Sequence, residues 1–274
     1  AIEGDDKKVV SKYKALNKRD RREYQEGQKR LDDGPWMRVG RLSTEIVSLD
    51  SLPDSTVEEV RAKERRYAEL VSSADYDTGR FLADAWCAAF VWSKINEPSQ
   101  PRPITEGVFR SIERNPQFES AMRARAEVRR LAEEYRFFHW HLTFPEVFRV
   151  PHSGDMSPNE ASGWVGGFDC LVGNPPWERV EMQEQEYFST RNPEIATAAN
   201  ASLRKELIRS LESADPAMFA EFHRARRQPQ AEVLLVKASG RFPLGAEGKV
   251  NTYALFADLV RQLVNPRGMA ALII

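Results

Sequence analysis

The sequence predicts an α/β protein with a large helical region. Residues 1–136 are rich in charged residues and carry helix signals, whereas residues 137–274 alternate between apolar runs and polar stretches. An apolar run over residues 168–173 is followed by two consecutive prolines, and this order is typical of a buried strand that ends in a rigid loop. We therefore predict a helical domain over residues 1–136, followed by a partial α/β domain over residues 137–274.

The composition is typical of a soluble globular protein with a highly charged surface. Hydrophobic residues make up 41% of the chain and charged residues 30%. The sequence contains neither an apolar run long enough to span a membrane nor a secretory signal, and Cys87 and Cys170 lie on segments that we expect to be buried. These features predict a cytoplasmic protein. The net charge of −1 excludes a generally basic DNA-coating protein, so that contact with nucleic acid requires local clusters.

Capping signals and periodicity predict the helices of the first domain. Ser55 and Glu58 form the pattern of a capping box, and the stretch that follows contains neither glycine nor proline. Residues 78–95 form an amphipathic pattern, whose aromatic stripe we interpret as helix core rather than as a base-stacking platform. The dipeptide Asn115-Pro116 offers an N-cap and a first-turn proline for a helix that ends near Tyr135.

The pattern changes at Phe137. Residues 138–148 are aromatic and predict an extended segment, and a loop rich in Gly, Ser and Pro follows over residues 151–163. The remaining elements are predicted as a strand over 168–173, polar helices over about 194–227, a strand over 232–236, a helix over 252–263 and a last strand after the turn at 266–268.

The tetrapeptide Asn174-Pro175-Pro176-Trp177 follows the strand over residues 168–173. Two consecutive prolines fix two φ angles near about −65° and remove two amide donors. Asn174 precedes a proline and is therefore kept out of the helical conformation. The loop lies at the carboxyl end of a strand, where open α/β sheets place their ligands. It presents one amide side chain, free carbonyls and one aromatic face, which suits a flat group that carries an –NH₂.

These four residues resemble the catalytic motif of S-adenosylmethionine-dependent methyltransferases that modify amino groups, above all adenine N6 in DNA. The wider context is similar to the long restriction-modification and phage-defence adenine methyltransferases of bacteria, and it comprises residues 138–148, Gly167-Phe168-Asp169 and residues 251–256. The similarity extends over about residues 80–274. It implies a Rossmann-like methyltransferase sheet, of which this chain holds the C-terminal half, with double-stranded DNA as substrate, S-adenosylmethionine as cofactor and no metal.

The resemblance implies a role for each residue of the tetrapeptide. The Asn174 side-chain oxygen and the Pro175 carbonyl would accept hydrogen bonds from the adenine amino group and favour a localised lone pair on its nitrogen. Pro176 would keep the loop rigid, and Trp177 would stack on the base, which must first be flipped out of the duplex. The transfer then depends on positioning and needs no covalent nucleophile.

The Gly-rich cofactor loop of this family, Gly-x-Gly after an acidic residue, has no match here, because Gly163, Gly166 and Gly167 lie too close to the catalytic strand. The sequence also offers no second aromatic residue that would complete a sandwich around the base. The chain begins at Ala1 and ends in a strand pattern at Ile274. We therefore expect a fragment, inactive alone, whose partner is the rest of a longer polypeptide that would carry the base-recognition domain and could include a fused restriction endonuclease.

Two basic clusters are candidates for contact with DNA phosphates. Acidic residues are interspersed with them, so solvated helix faces are the alternative interpretation. The first cluster consists of Arg123, Arg125, Arg129 and Arg130, and the second consists of Arg224, Arg226 and Arg227.

Other polar groups do not predict a site. No cysteine or carboxylate falls at zinc-ligand spacing from the cluster of three histidines over residues 139–152, so we predict no metal. The loop over residues 240–251 departs from a phosphate-binding loop at Pro243 and Val250, and either lines the substrate cleft or is a surface loop. The histidines are His139, His141 and His152.

Two alternative functions remain open from the sequence. The first is methylation of a protein glutamine amide, whose –NH₂ is also flat; the long helical region before the tetrapeptide argues against it. The second is a non-catalytic scaffold that binds DNA or a partner through a degenerate methyltransferase half. The intact tetrapeptide argues against degeneration.

Overall fold

The computed structural model describes residues 2–27, 44–97, 100–149 and 163–273. Among these residues, seven helices precede two small sheets, and five further helices lie between the two strands of the second sheet. The helices of the first part are α1 (Lys7–Gly27), α2 (44–50), α3 (Val57–Val71), α4 (Ala74–Val91), α5 (Glu106–Arg114), α6 (Glu119–Tyr135) and α7 (Trp140–Thr143). The later elements are β1 (Phe148–Arg149), β2 (Val165–Gly166), β3 (Phe168–Gly173), α8 (Glu184–Ser189), α9 (Pro193–Ala196), α10 (Ala201–Ala214), α11 (Pro216–Ala238), α12 (Thr252–Leu263) and β4 (Val264–Leu272).

The main hydrophobic core forms around α4. Leu82 of this helix, Ile112 of α5 and Val128 of α6 are almost completely buried and belong to one cluster. Trp92, at the end of α4, is also buried, and its indole N–H donates to the Pro101 carbonyl over 3.2 Å, so that its polar atom is satisfied. Ala231 of α11 is fully buried in the same cluster, and a helix of the second half therefore packs on the helical region.

Two predicted helix starts differ from the structure. The capping box is formed by Thr56 and Glu59, one residue later than predicted, because the Glu59 amide donates to the Thr56 hydroxyl and the Glu59 carboxylate accepts from the Thr56 amide. Asn115 is the C-cap of α5 instead of an N-cap. Its side chain accepts from the Gln117 amide, which forms a tight turn, and the next helix begins only after Phe118.

The aromatic segment over residues 138–148 is not continuously extended. It forms the short helix α7, where the Thr143 amide donates to the His139 carbonyl and the Phe144 amide donates to the Trp140 carbonyl. The aromatic rings then pack on one another, since Trp140, Phe144 and Phe148 each lie within about 6 Å of the Phe168 ring. This cluster anchors the start of β3.

The predicted strand over residues 232–236 is wrong, since these residues belong to α11. A short apolar run cannot by its periodicity be distinguished from a buried helical segment. Leu234 and Leu235 pack against the core around α4, and this tertiary contact decides in favour of the helix. Pro229 is accommodated inside the same helix.

The predicted strand over residues 168–173 is confirmed as β3, which pairs in parallel with β4. The predicted helix over residues 252–263 is confirmed as α12, which connects directly to β4. The last strand begins at Val264, before the turn predicted at residues 266–268. These residues lie within β4, at an irregularity in its register with β3. β1 and β2 pair antiparallel. The described residues thus form a mixed helical and sheet structure.

The burial of the two cysteines differs from the prediction in one case. Cys87 is buried in α4, as predicted, but Cys170 of β3 is exposed. β3 pairs only with β4 among the described residues, and Val172 on the same strand is 73% exposed. In the part of the chain that the structure covers, no helix is long and apolar enough to cross a membrane.

Candidate active site

The tetrapeptide Asn174–Trp177, hereafter the Asn-Pro-Pro-Trp loop, follows the carboxyl end of β3 directly. Pro175 is buried, whereas Asn174 and Pro176 are exposed. The Trp177 side chain is 63% exposed, an unusual state for so large an aromatic group. The prolines keep the loop rigid, and the Asn174 amide and the Trp177 indole are both exposed to solvent. Such a surface is suited to bind a planar polar group.

The start of α12 lies beside this loop. The Thr252 amide donates to the Glu178 carbonyl over 2.9 Å, and the Val180 amide donates to the Val250 carbonyl over 3.2 Å. Arg179 and Asn251 form an antiparallel bridge between the same two segments. The two motifs singled out in the sequence, residues 174–177 and 251–256, are thus brought together.

Tyr253 stands next to Trp177 with a separation of 5.8 Å between ring centroids and a tilt of 39°. This distance is that of two rings in direct contact, so no base fits between them, and the pair forms one aromatic wall. Tyr253 is 38% exposed and therefore accessible to a ligand. The sequence alone does not single out Tyr253, although the motif over residues 251–256 contains it.

The loop over residues 240–251 is fastened to α12 by a buried carboxylate. Asp258, 3% exposed, accepts hydrogen bonds from the Leu244 amide over 3.0 Å and the Gly245 amide over 3.1 Å. Burial raises the pKa of Asp258, but these two amides, with Arg261 and Gln262, outweigh burial and hold the pKa below its ordinary value. The carboxylate thus stabilises the loop that precedes the Asn251–Phe256 motif.

Asp258→Asn is expected to lower the free energy of unfolding by about 1–3 kcal/mol at pH 7, because a charged acceptor of two amides is lost. Since the pKa is lower in the folded state, the ionised carboxylate stabilises the fold above the unfolded pKa, and this contribution is lost as the pH falls through the folded value. The free energies of unfolding of the wild type and of Asp258→Asn, measured by denaturant titration, should therefore become equal below about pH 3.8, the ordinary pKa of Asp. A difference in stability that is constant from pH 7 to the acid limit would contradict this assignment.

Most arginines of the first basic cluster are paired with carboxylates. Arg123 pairs with Glu119, and Arg130 pairs with both Glu127 and Glu134. Contact of this cluster with DNA stays a prediction, and Arg129 is exposed on the same helix. Arg125 lies 2.9 Å from an Asp77 carboxylate oxygen and 4.1 Å above the Phe81 ring.

In the second basic cluster, Arg227 has a structural role. It donates to the Asp5 carboxylate over 2.8 Å and to the Glu3 carbonyl over 2.6 Å, and its side chain is only 17% exposed. The Arg226 side chain lies 3.8 Å from the Glu3 carboxylate. Arg224 is exposed, and contact of this second cluster with DNA phosphates stays a prediction.

His139 and His141 are engaged in packing and pairing. His139 lies 2.7 Å from the buried Asp84 carboxylate, and His141 stacks on Trp164 at 4.5 Å. Burial, together with the nearby His139 and Arg241, lowers the pKa of His141 to about 3, so that its ring is neutral at physiological pH. His152 lies outside the described residues. Within those residues, no group of three His, Cys, Asp or Glu side chains could hold a metal ion.

Residues 83–203 match the family model of the Eco57I restriction-modification methylase. The match supports the interpretation that this part of the chain comes from a restriction-modification methylase. The matched range includes β3, the Asn-Pro-Pro-Trp loop and the helices α8 and α9. A methylase of this kind implies DNA as substrate and S-adenosylmethionine as methyl donor. No curated protein and no solved structure matches the chain.

Proposed function

We propose that this chain carries the substrate-binding loop of an adenine-N6 DNA methyltransferase of a bacterial restriction-modification or phage-defence system. The observation that supports this best is the exposed Asn174 on a proline-stiffened loop at the carboxyl end of a parallel strand. The resemblance of residues 174–177 to the amino-methylating motif and the family match point to the same reaction. We further propose that β3 and β4 belong to a larger Rossmann-like sheet, and that the enzyme acts in the cytoplasm.

The loop offers two acceptors for one amino group. The Asn174 side-chain oxygen and the Pro175 carbonyl would each accept one N–H of the adenine amino group, which orients the nitrogen lone pair away from the ring plane. Because the prolines fix both acceptors in advance, little reorganisation accompanies the reaction. An N–C bond would form as the S–C bond of the sulfonium donor breaks; the sulfur would keep the electron pair as a neutral thioether, and the amino nitrogen would release one proton to solvent. The aromatic wall of Trp177 and Tyr253 would hold the flipped base by stacking.

The described residues fit the substrate side of such a site better than the cofactor side. They contain no turn of the Gly-x-Gly type after an acidic residue, and Gly166 and Gly167 serve close backbone packing instead. S-adenosylmethionine would supply the methyl group, and we place its main binding loop in the longer polypeptide to which we assign this chain. We therefore assign no residue of this chain to the cofactor and expect the isolated chain to be inactive.

Trp177→Ala is expected to weaken the binding free energy of the flipped base by about 1–3 kcal/mol, because one stacking surface is removed. Trp177→Phe should retain part of this contribution. The measurement is the dissociation constant for duplex DNA that carries 2-aminopurine at the target position, whose fluorescence reports base flipping. Phe118→Ala serves as a matched control, since Phe118 is a similarly exposed aromatic residue far along the chain from the loop. An equal affinity of the Trp177→Ala variant and the wild type would argue against stacking on Trp177.

The class of substrate is tested by incubating the complete polypeptide with labelled S-adenosylmethionine and either unmethylated DNA or a glutamine-containing peptide. Transfer to DNA alone is the expected result. Label in the peptide would favour a glutamine methyltransferase. A folded protein that binds DNA without any transfer would favour the non-catalytic scaffold.

A further inference from the structure

One side chain joins the two motifs of the candidate active site. The Thr252 hydroxyl donates to the Pro176 carbonyl over 2.6 Å and accepts from the Glu178 amide over 3.0 Å. The Thr252 amide donates in addition to the Glu178 carbonyl over 2.9 Å. Both sequence neighbours of Trp177 are therefore held by a single residue of α12.

The Thr252 hydroxyl makes its hydrogen bonds outside the first turn of α12. Thr252 is the first residue of α12, and the preceding Asn251 makes no side-chain capping hydrogen bond. Ser, Thr and Asn at the N-cap usually accept from the amides of the first turn, but here the N-cap Asn251 makes no such bond. The Thr252 side chain makes its hydrogen bonds to residues 176 and 178. Its polar atom stabilises the loop rather than the helix.

The prolines explain why the loop needs a donor from another element. Pro175 and Pro176 have no amide N–H, so these two residues cannot donate hydrogen bonds that would stabilise the turn. The Pro176 carbonyl finds its donor in Thr252. Trp177 is 63% exposed, so burial contributes little to holding it, and its ring contacts Tyr253, the residue after Thr252. The hydrogen bonds of Thr252 on either side of Trp177 supply this restraint.

We infer that Thr252 is a positioning residue for the methyl transfer, and that its hydroxyl sets the orientation of Trp177 and thereby of the flipped base relative to Asn174. The inference rests on the proposed function, since it assigns a role within the same site. Thr252 would not touch the reacting atoms. It would act on the rate because a displacement of about 1 Å at a reacting group can cost roughly 10²-fold.

Two substitutions separate the hydroxyl from the shape of the side chain. Thr252→Val removes the hydroxyl and retains the branched shape, whereas Thr252→Ser retains the hydroxyl. The quantity to measure is the single-turnover rate constant for DNA methylation by the complete polypeptide. This rate constant does not depend on the fraction of enzyme that is active. The amplitude of the same reaction reports that fraction. We expect Thr252→Val to lower the rate constant roughly 10–100-fold at an unchanged amplitude and an unchanged KM for S-adenosylmethionine. Thr252→Ser should stay within about threefold of the wild type.

Hydrogen exchange provides a readout that does not depend on activity. The Glu178 amide, which donates to the Thr252 hydroxyl, should exchange faster in Thr252→Val. The Val180 amide donates to the Val250 carbonyl and should be unaffected, so it serves as an internal control.

The outcomes distinguish the inference from the proposed function. An unchanged rate constant in Thr252→Val, or a Thr252→Ser variant as slow as Thr252→Val, would overturn the positioning role while the methylation by the wild type stands. Absence of methylation by the wild type, with a protected Glu178 amide, would overturn the proposed function. The positioning role in the reaction would then fall with it.

Discussion

Asn174→Ala should reduce methyl transfer by roughly 10²–10³-fold, the usual consequence of removing one fixed polar group that stabilises a transition state. The side chain is exposed at the end of β3, so its loss should change the free energy of unfolding by no more than about 0.5 kcal/mol. The measurement is kcat with saturating DNA and S-adenosylmethionine, together with thermal unfolding of both proteins. A fall in kcat at equal stability would assign the loss to the reaction.

Asn174→Asp is the matched variant for this test. Aspartate keeps an acceptor oxygen at the same position, so its kcat should lie clearly above that of Asn174→Ala. If both variants lost activity equally, the amide would contribute its N–H donors rather than its oxygen. If Asn174→Ala retained wild-type activity, the loop would not bind the reacting amino group.

Gly167→Ala should unfold the region around β3, with a loss on the order of 3 kcal/mol or more in the free energy of unfolding. Gly167 has a φ of 133°, and a Cβ at this position would lie 2.7 Å from the Asn265 amide nitrogen and 2.9 Å from the Leu263 carbonyl oxygen. Both neighbours are backbone atoms at the junction of α12 and β4, so neither can move alone. Denaturant unfolding of the purified variant measures the loss.

Gly240→Ala separates backbone strain from the clash. Gly240 also has a positive φ, 74°, but a Cβ there would meet no atom within 4 Å. We expect this variant to lose only about 1–2 kcal/mol. Equal losses at Gly167 and Gly240 would show that the close approach of the backbone at Gly167 contributes nothing.

Local sequence patterns predicted those elements whose apolar period or turn chemistry is unambiguous. β3 and α12 are examples, since flanking glycines and prolines bound the first and the Pro-Arg-Gly sequence over residues 266–268 follows the second. The capping box failed by one residue, because two overlapping patterns, Ser55 with Glu58 and Thr56 with Glu59, satisfy the same rule. The sequence alone does not distinguish these two patterns; the helix in the structure begins after Thr56.

Contacts between distant segments could not be predicted from the sequence. The helical state of residues 232–236 depends on packing against α4, which lies more than a hundred residues earlier in the chain. The placement of Tyr253 beside Trp177 depends on the bridge between Arg179 and Asn251. The exposure of Cys170 follows from the small number of strands around β3 among the described residues, whereas the strand pattern itself predicted burial.

The position of the transferred methyl group tests the central claim most directly. The complete polypeptide would be incubated with labelled S-adenosylmethionine and unmethylated duplex DNA, and the digested nucleosides would be separated and identified by mass spectrometry. We expect the label in N6-methyladenine, and its loss with Asn174→Ala. Label in a cytosine derivative, or on the protein and not on DNA, would contradict the assignment of adenine N6 to this loop.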